Sequence, residues 1–281
     1  MRILVTGAKG QLGREISKQG QEHELVLTDA DTLDITDSRA VKECFCQTKP
    51  QAVIHCAAYT QVDAAEADAD GAFRVNVVGA QNIAAGCLET GARMVYVSTD
   101  YVFDGTKQQP YREFDAVNPQ SVYGMTKWQG EQVVRQILGR HYILRTAWLY
   151  GDVNNFVRTM LQLAEQNSTL RVVHDQVGTP TSTVDLAATI FSLIVSDAYG
   201  TYHATCQGQC SWYEFACEIF KKAGKTVAVL PVTTAEFPRP ARRPAHSVLD
   251  NYMLRMTVGD SMRPWQDALN QYMQRVNGIV W

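Results

Sequence analysis

Four residues in the middle of the chain have the types and spacing needed to move a proton onto a carbonyl oxygen. Tyr123 and Lys127 stand four positions apart in a segment that we predict to be helical, so both side chains project from one face. The ammonium of Lys127 would stabilise the phenolate of Tyr123 and lower its pKa. Ser98 and Thr99 follow an apolar segment and offer hydroxyl groups to the same oxygen. The pattern predicts carbonyl chemistry, with Tyr123 and Lys127 as catalytic residues and a hydroxyl of Ser98 or Thr99 beside them.

The start of the chain predicts a nucleotide-binding turn. An apolar, β-prone segment, Arg2–Thr6, leads directly into three glycines and then into a helix-forming segment, 14–19. Glycine has no Cβ, so backbone N–H groups of such a turn and of the helix start can approach a pyrophosphate. The spacing Gly-x-x-Gly-x-x-Gly differs from the commonest dinucleotide fingerprint and is a weak signal alone. We predict cofactor contacts from Gly7, Gly10, Gln11, Leu12 and Gly13.

A carboxylate follows the second predicted strand. That strand, Glu24–Thr28, is followed directly by Asp29, at about the distance from the glycine turn where an acid binds the adenosine ribose hydroxyls. An acid there disfavours a 2′-phosphate and so favours NADH. Lys9 and Arg14 are close enough to the turn in sequence to offset that repulsion. The sequence therefore predicts NADH or NADPH as the cofactor.

Two short segments farther along extend the predicted cofactor site. They consist of Asp34 and Ile35, then Ala57, Ala58 and Tyr59. The first pair either contacts the adenine or begins the helix predicted over 38–48. The two alanines end a buried-type strand, 52–57, and their small size would let the cofactor pass close to the backbone. His55 lies inside that apolar strand, which indicates a core histidine rather than a catalytic one.

The elements that must position these residues alternate between strand and helix. A long helix is predicted over 66–89, and further strands over 94–97, 141–146 and Gly200–His203. This alternation predicts an α/β fold with a Rossmann-type, doubly wound parallel sheet, whose strand ends would gather the residues named above. We predict an NAD(P)-binding domain over 1–151, to which 182–204 return. A smaller, discontinuous C-terminal substrate lobe would comprise 152–181 and 205–281.

Composition narrows the function classes. The chain has 281 residues, of which 46% are hydrophobic, and a net charge of −3, so no global basic field is available to hold nucleic acid. No apolar run approaches the ~20 residues of a membrane span, and the chain opens without a leader-like segment, so we expect a cytoplasmic protein. The seven cysteines lack zinc-ligand spacing, which predicts reduced thiols and no metal site.

The second half carries one compact basic segment, 239–244. Its guanidinium groups, from Arg242 and Arg243 among others, match phosphate oxygens, so it either binds a nucleotide diphosphate or is a solvated basic loop. Helices are predicted over 155–166, 184–195, 211–223 and 262–276. The third of these begins with Ser211 and has Glu214 three residues on, which is typical of a capping box.

The sequence resembles the extended short-chain dehydrogenases/reductases in its glycine turn, in Asn76 and in the Tyr123-x-x-x-Lys127 pair. Within that superfamily it is similar to the dTDP-4-dehydrorhamnose reductase family, which makes dTDP-L-rhamnose. The motifs that carry this similarity lie at 57–66, 98–105, 145–151, 155–157 and 175–181.

The resemblance implies a role for each matching residue. Thr99 would polarise the 4-keto oxygen of a dTDP-sugar, Tyr123 would protonate it, and Lys127 would tune Tyr123 and hold the nicotinamide ribose. The implied substrate-binding residues are Asp100, Tyr101, Val102, Phe103, Trp148, Asn155, Arg242 and Arg243.

The resemblance also distinguishes reduction from the elimination of water that related enzymes catalyse. Related 4,6-dehydratases carry an Asp-Glu pair after the threonine, whereas this chain has Asp100-Tyr101, so reduction is predicted over elimination. Another keto-sugar reductase, an epimerase and a non-catalytic regulatory subunit are the alternatives. Some members of the family form metal-bridged dimers through clustered carboxylates. Glu15 could match one of those metal ligands, but residues 184–188 lack the spacing of acidic residues that the others would need. We therefore predict no metal site, and either a monomer or a homodimer.

Overall fold

The structure, a computed structural model, describes residues 1–277. The strands are β1 (Arg2–Thr6), β2 (Glu24–Thr28), β3 (Ala52–His55), β4 (Arg93–Thr99), β5 (His141–Thr146), β6 (Leu149–Tyr150), β7 (Thr169–Val173), β8 (Val177–Gly178), β9 (Thr181–Ser182), β10 (Gly200–His203), β11 (Cys210–Ser211) and β12 (Ala228–Val232). The α-helices are α1 (Gln11–Gln19), α2 (Ser38–Thr48), α3 (Val62–Ala67), α4 (Ala69–Phe73), α5 (Ala80–Thr90), α6 (Val122–Ile137), α7 (Phe156–Gln166), α8 (Thr183–Ile194), α9 (Trp212–Ala223), α10 (Tyr252–Met256) and α11 (Trp265–Asn277). A π-helical turn covers Arg74–Gly79, and a 3₁₀ turn covers Asp100–Val102.

Six parallel strands form the central sheet, in the order β10-β5-β4-β3-β1-β2. Alternate residues of β1 point to opposite faces: Ile3 packs in one core with α1 and α8, and Leu4 packs in a second core with α2 and α5. Helices therefore cover both faces, which explains why the strands are apolar without alternation. The predicted Rossmann-type, doubly wound α/β fold is confirmed.

The histidine of β3 belongs to this core. His55 is buried, and its Nδ1 lies 2.7 Å from Thr6 Oγ1 on the neighbouring strand. Burial lowers the pKa of His55 to about 3, so the imidazole is neutral at physiological pH. The interpretation of this residue as a core histidine is confirmed.

The long helix predicted over 66–89 is interrupted. Helix α3 ends at Ala67, and Asp68 begins α4 by accepting a hydrogen bond from the N–H of Gly71 at 3.0 Å. An aspartate side chain that bonds nearby backbone favours a helix start over a helix interior. The chain then passes through the π-helical turn before α5. Such turns occur mostly inside helices and often at functional sites.

The second half makes short pairings around the sheet. Strands β8 and β11 pair antiparallel, whereas β7 with β12 and β6 with β9 pair parallel. The predicted return of the chain to the sheet occurs at β10, which lies beside β5. The Ser211 and Glu214 capping box is present at the start of α9. The limits of the two domains stay a prediction. The last four residues of the predicted substrate lobe, 278–281, lie outside the described residues. Among the helices of residues 1–277, none is long and apolar enough to cross a membrane.

Candidate active site

The predicted cofactor residues meet in one cleft of about 1010 Å³ at the carboxyl ends of the sheet strands. This is where ligands bind in doubly wound α/β sheets. The cleft lining includes every residue predicted for the cofactor: Gly7, Gly10, Gln11, Leu12, Gly13, Asp29, Asp34, Ile35, Ala57, Ala58, Tyr59, Tyr123 and Lys127. The same lining includes Thr99, Asp100, Tyr101 and Trp148 from the predicted catalytic and substrate sets.

The glycine turn has the geometry that a pyrophosphate requires. Gly7 has a φ of +68°, and a Cβ there would lie 2.7 Å from the backbone nitrogen of Ala57. A Cβ on Gly13 would lie 2.3 Å from the carbonyl oxygen of Gly7. Gly10 precedes the first turn of α1 and has no side chain to cap it, so the N–H groups of that turn are available to an anion at the cleft. These residues fit the pyrophosphate of a dinucleotide.

Two aspartates border the adenosine end of the cleft. Asp29 Oδ2 accepts a hydrogen bond from the N–H of Lys9 at 2.7 Å, which ties the loop after β2 to the glycine turn. Asp34 Oδ1 accepts from the backbone N–H of Thr36 at 2.9 Å. The cap of α2 is Asp37, so the alternative in which Asp34 begins that helix is wrong. Asp34 instead lines the cleft beside Ile35.

Two residues of the interrupted helical region hold the site together. Asn76, in the π-helical turn, accepts from the N–H of Tyr59 at 2.9 Å and donates to Thr126 Oγ1 on α6 at 3.0 Å. Glu66 Oε1 accepts from the N–H of Val122, the first residue of α6, at 2.9 Å. The motif 57–66 thus fixes the start of the helix that carries Tyr123 and Lys127. The spacing of residues along the sequence does not indicate these contacts of Asn76 and Glu66.

The catalytic candidates converge at the end of β4. Thr99 Oγ1 donates to Asp100 Oδ1 at 3.0 Å and accepts from the N–H of Tyr101. The phenol of Tyr123 is close enough to the Thr99 side chain for Thr99 to oppose the rise in its pKa. The rings of Tyr101 and Tyr123 meet edge to face, with centroids 5.5 Å apart. A hydroxyl and a phenol are therefore placed to bind one carbonyl oxygen between them.

The ionisation of these groups differs from the prediction. Burial raises the pKa of Tyr123 to about 12, although the side chain of Thr99 opposes that shift. Burial lowers the pKa of Lys127 to about 7, against the charge of Glu131, which raises it. The prediction that Lys127 lowers the pKa of Tyr123 is wrong for this arrangement. Burial also raises the pKa of Asp100, next to both hydroxyls, to about 6.

A buried ion pair lies behind the catalytic residues. Glu131 on α6 is fully buried and accepts two hydrogen bonds from Arg145, from Nε at 2.9 Å and from Nη2 at 2.7 Å. The hydroxyl of Ser98 donates to Glu131 Oε1 at 2.6 Å. Ser98 therefore uses its hydroxyl to bind the core network, and Thr99 is the residue of this pair that lies beside Tyr123.

The two arginines of the basic segment differ in their partners. Arg243 binds the Asp63 carboxylate through two nitrogens, at 3.0 and 2.9 Å, and lies near the side chain of Tyr101. Arg242 is exposed and reaches Gln120 at 3.3 Å. Neither arginine lines the cleft itself. Arg243 anchors the basic segment beside Tyr101, and Arg242 keeps more of its hydrogen-bonding capacity for a ligand.

Three residues of the predicted substrate-binding set make contacts within the protein that support the fold. The side chains of Val102 and Phe103 are buried in a small core with Tyr111 and Leu249. Asn155 caps α7 by accepting from the N–H of Arg158, and its amide donates to carbonyl oxygens of the preceding loop. These side chains face a core or a helix start rather than the cleft, and their predicted substrate-binding role stays a prediction. Their apolar or capping character explains their place in the motifs.

Trp148 lines the cleft next to a residue that sequence reasoning missed. Its ring stacks on that of Trp212, with centroids 3.5 Å apart and planes 8° apart, and Trp212 also lines the cleft. One face of Trp148 is therefore covered by protein and is closed to a sugar. Trp212 begins α9, far along the chain, and its sequence surroundings gave no sign of this contact.

The carboxylates considered for a metal have other partners. Glu15 is buried and lies 3.8 Å from Arg275, and its Oε1 accepts from the amide of Gln19. Asp185 forms an ion pair with Arg263 at 2.6 Å. Within residues 1–277, no group of three or more His, Cys, Asp or Glu side chains could hold a metal ion.

Comparison with known proteins extends these observations over the whole chain. The family model described as the RmlD substrate binding domain matches residues 1–277. The spore coat polysaccharide biosynthesis protein SpsK of Bacillus subtilis is 42% identical, over 97% of each chain.

Two solved structures have nearly the same fold. The dTDP-4-dehydrorhamnose reductase of Clostridium acetobutylicum is 54% identical, with a TM-score of 0.97, over 99% of this chain and 100% of that one. The enzyme of the same name from Bacillus anthracis, solved in complex with NADP, is 41% identical, with a TM-score of 0.96, over 98% and 99% of the two chains. The chain therefore belongs to the dTDP-4-dehydrorhamnose reductase family.

Proposed function

We propose that this protein reduces the 4-keto group of dTDP-4-dehydro-6-deoxy-L-mannose (dTDP-4-dehydrorhamnose) to give dTDP-L-rhamnose, using NADPH or NADH. The product would supply rhamnose for cell-surface polysaccharide. The observation that carries the proposal is the meeting of Thr99 and Tyr123 at the end of β4, in the cleft that the glycine turn also lines. The names of relatives 41% to 54% identical over nearly the whole chain support the choice of substrate.

The chain's own residues would bind the carbonyl oxygen and deliver a proton to it. When the substrate binds, Thr99 Oγ1 turns its single O–H from Asp100 to that oxygen, and Tyr123 transfers its phenolic proton as charge develops there. Lys127 holds the nicotinamide ribose. When bound, the reduced nicotinamide supplies the hydride. Because burial keeps the phenol of Tyr123 protonated well above neutral pH, the acid is in its donating form throughout the physiological range.

The residue after Asp100 argues for reduction without elimination. Elimination of water needs a second carboxylate next to the first, and this chain has Tyr101 there, with its ring against Tyr123 and its side chain near Arg243. A phenol whose pKa is raised by burial is a poor base at neutral pH. The reductase proposal is therefore favoured over a 4,6-dehydratase.

Both nicotinamide cofactors suit the adenosine end of the cleft. Asp29 would bind ribose hydroxyls and favour NADH, whereas the exposed Arg14, bonded to the carbonyl oxygen of Lys9 at 2.8 Å, would favour a 2′-phosphate. The Bacillus anthracis relative was solved with NADP, which supports acceptance of NADPH here. A cytoplasmic location and assembly as a monomer or homodimer accompany this proposal.

The test is an absorbance assay with purified protein. Loss of reduced-nicotinamide absorbance with dTDP-4-dehydrorhamnose, with NADPH or with NADH, is the expected result, and product analysis should identify dTDP-L-rhamnose. The matched control is the epimeric dTDP-4-keto-6-deoxy-D-glucose, which separates this reductase from one acting on another keto sugar. Absence of oxidation with both cofactors and the first substrate would contradict the proposal.

A further inference from the structure

The stacked tryptophans join two distant parts of the chain at the cleft. Trp148 follows β5 of the central sheet, and Trp212 is the first residue of α9 in the C-terminal half. Their rings are nearly parallel, 8° apart, at a centroid separation of 3.5 Å. Both side chains are half-buried and line the cleft that holds Thr99 and Tyr123.

A second element contacts the same indole ring. Gly178 in β8 lies so close to Trp148 that a Cβ there would be 2.6 Å from the ring atom Cε2. The pairing of β8 with β11 sets Gly178 opposite Cys210, two residues before Trp212. One short antiparallel ribbon therefore presents both Gly178 and Trp212 to the ring. This gives a structural reason for the glycine in the motif 175–181.

The backbone of Trp148 needs such support. Its φ is +46°, in the left-handed region that residues with a Cβ rarely adopt. Conformations of this kind persist only where the surroundings determine them. The carbonyl oxygen of Trp148 accepts a hydrogen bond from the N–H of Thr181 at 3.1 Å, which fixes the backbone, and the stack fixes the ring.

Trp212 is itself held in place from behind. Its ring contacts Phe156 on α7, with centroids 4.5 Å apart. Its backbone follows the capping box in which Ser211 and Glu214 bond each other. The tryptophan of α9 is thus a fixed support, and Trp148 is the ring that it supports.

We infer that Trp212 is a positioning residue for the proposed reduction: it holds the Trp148 ring at the substrate end of the cleft and so sets how the keto sugar is presented to Thr99 and Tyr123. The inference rests on the proposed function. It leaves the part of the Trp148 ring that neither Trp212 nor Gly178 covers as the part that meets the sugar. The competing possibility, direct contact between Trp212 and the sugar, is an outcome of the test below.

The first measurement needs no substrate. Two stacked indoles couple their electronic transitions, so the wild-type protein should show an exciton couplet in its circular dichroism spectrum. Trp212→Leu and Trp148→Leu should each abolish the couplet. Trp128→Phe, which removes a tryptophan outside the stack, is the matched control and should retain it. Superimposable spectra of the wild type and both leucine variants would overturn the stacked arrangement.

The second measurement is a double-mutant cycle on KM and kcat. Trp212→Leu should raise KM for the keto sugar about tenfold or more while the Kd of NADPH stays unchanged. The variant carrying both leucines should be no worse than Trp148→Leu alone, because one residue acts through the other. Trp212→Phe keeps an aromatic ring in the same place and should restore most of the KM, which guards against a folding defect in the leucine variant.

The outcomes are distinguishable. An unchanged KM in Trp212→Leu with normal wild-type turnover would overturn the positioning role. If the effects of the two single substitutions on KM add in the double variant, Trp212 binds the sugar directly. That result would also overturn the positioning role. Absence of wild-type turnover would contradict the proposed function and this inference together, while the couplet would still report the stack.

Discussion

The ammonium nitrogen of Lys127 lies 4.2 Å from the centre of the Tyr96 ring, a cation–π contact within the protein. Lys127 is almost fully buried, at 3% exposure, and Tyr96 on β4 is fully buried. The aromatic face and the nearby Glu131 favour the charged amine, but burial outweighs them and lowers the pKa of Lys127 to about 7. The residue proposed to hold the ribose therefore titrates near physiological pH in the protein without its cofactor.

We expect cofactor affinity to fall as the pH rises through about 7, because Lys127 then loses the proton and the charge that it offers to the ribose and to the negatively charged cofactor. The measurement is the Kd of NADPH, by fluorescence, at pH values on both sides of 7. Lys127→Arg keeps its charge throughout this range and should show a flat profile. The same pH dependence in Lys127→Arg and in the wild type would assign it to another group.

Tyr123→Phe removes the phenolic proton and leaves the ring. Turnover should fall by roughly 10²–10⁴-fold, the usual contribution of a general acid, while the Kd of NADPH stays close to that of the wild type. Steady-state kinetics and cofactor titration check the two halves of this prediction. Near-normal turnover would show that another group protonates the substrate.

The buried pair of Glu131 and Arg145 should be costly to break from one side. Arg145→Met leaves a buried carboxylate without its two main donors, so the free energy of unfolding should fall by about 3–5 kcal/mol. The double variant Glu131→Leu, Arg145→Met removes both charges and should recover a large part of this loss. Denaturant unfolding curves of both variants give the comparison. No recovery of stability in the double variant would mean that the two side chains are not energetically coupled.

The different partners of Arg242 and Arg243 predict different losses. Arg242→Ala should raise KM for the dTDP-sugar about tenfold without lowering the melting temperature, because within residues 1–277 its guanidinium has only a long hydrogen bond to Gln120 to lose. Asp63→Asn should lower the melting temperature, since it weakens the two-nitrogen contact that anchors Arg243. Arg39→Ala, on the exposed surface of α2, is the charge-matched control and should change neither quantity.

The contact between Glu66 and the start of α6 should be visible in both stability and turnover. Glu66→Ala removes the acceptor of the Val122 N–H and should lower the free energy of unfolding by about 1 kcal/mol, with reduced kcat. Glu66→Gln keeps an oxygen acceptor and should stay near the wild type in both. If the glutamine variant were as impaired as the alanine variant, the negative charge rather than the hydrogen bond would be responsible.

Residues whose role depends on neighbours in sequence were predictable. The glycine turn lies directly between β1 and α1, and the strands of a parallel sheet are apolar throughout because both faces are covered. From these local patterns follow the sheet, the cleft at its carboxyl edge and the approach of Tyr123 to Thr99. The only long-range step needed was that parallel strands end at one edge.

Residues whose role depends on distant contacts were not predictable. Val102 and Phe103 stand in a motif with cleft residues, yet the 3₁₀ turn after β4 directs them into a separate core. Asp68 interrupts a helix whose apolar spacing looked continuous, because its side chain competes for a backbone N–H. The pKa of Tyr123 depends on burial, and the position of Trp212 depends on the ribbon formed by β8 and β11. Neither can be predicted from the residues nearby in sequence.

The place of β10 beside β5 has a consequence for how the protein is made. When the ribosome has produced residues 1–151, the edge of β5 that faces away from β4 has no partner strand, because Gly200–His203 have not yet been synthesised. An unpaired strand edge readily binds the edge of another chain, so this intermediate is the stage most exposed to aggregation. Completion of the sheet must therefore wait for a strand made late, and truncation before residue 200 should yield insoluble protein.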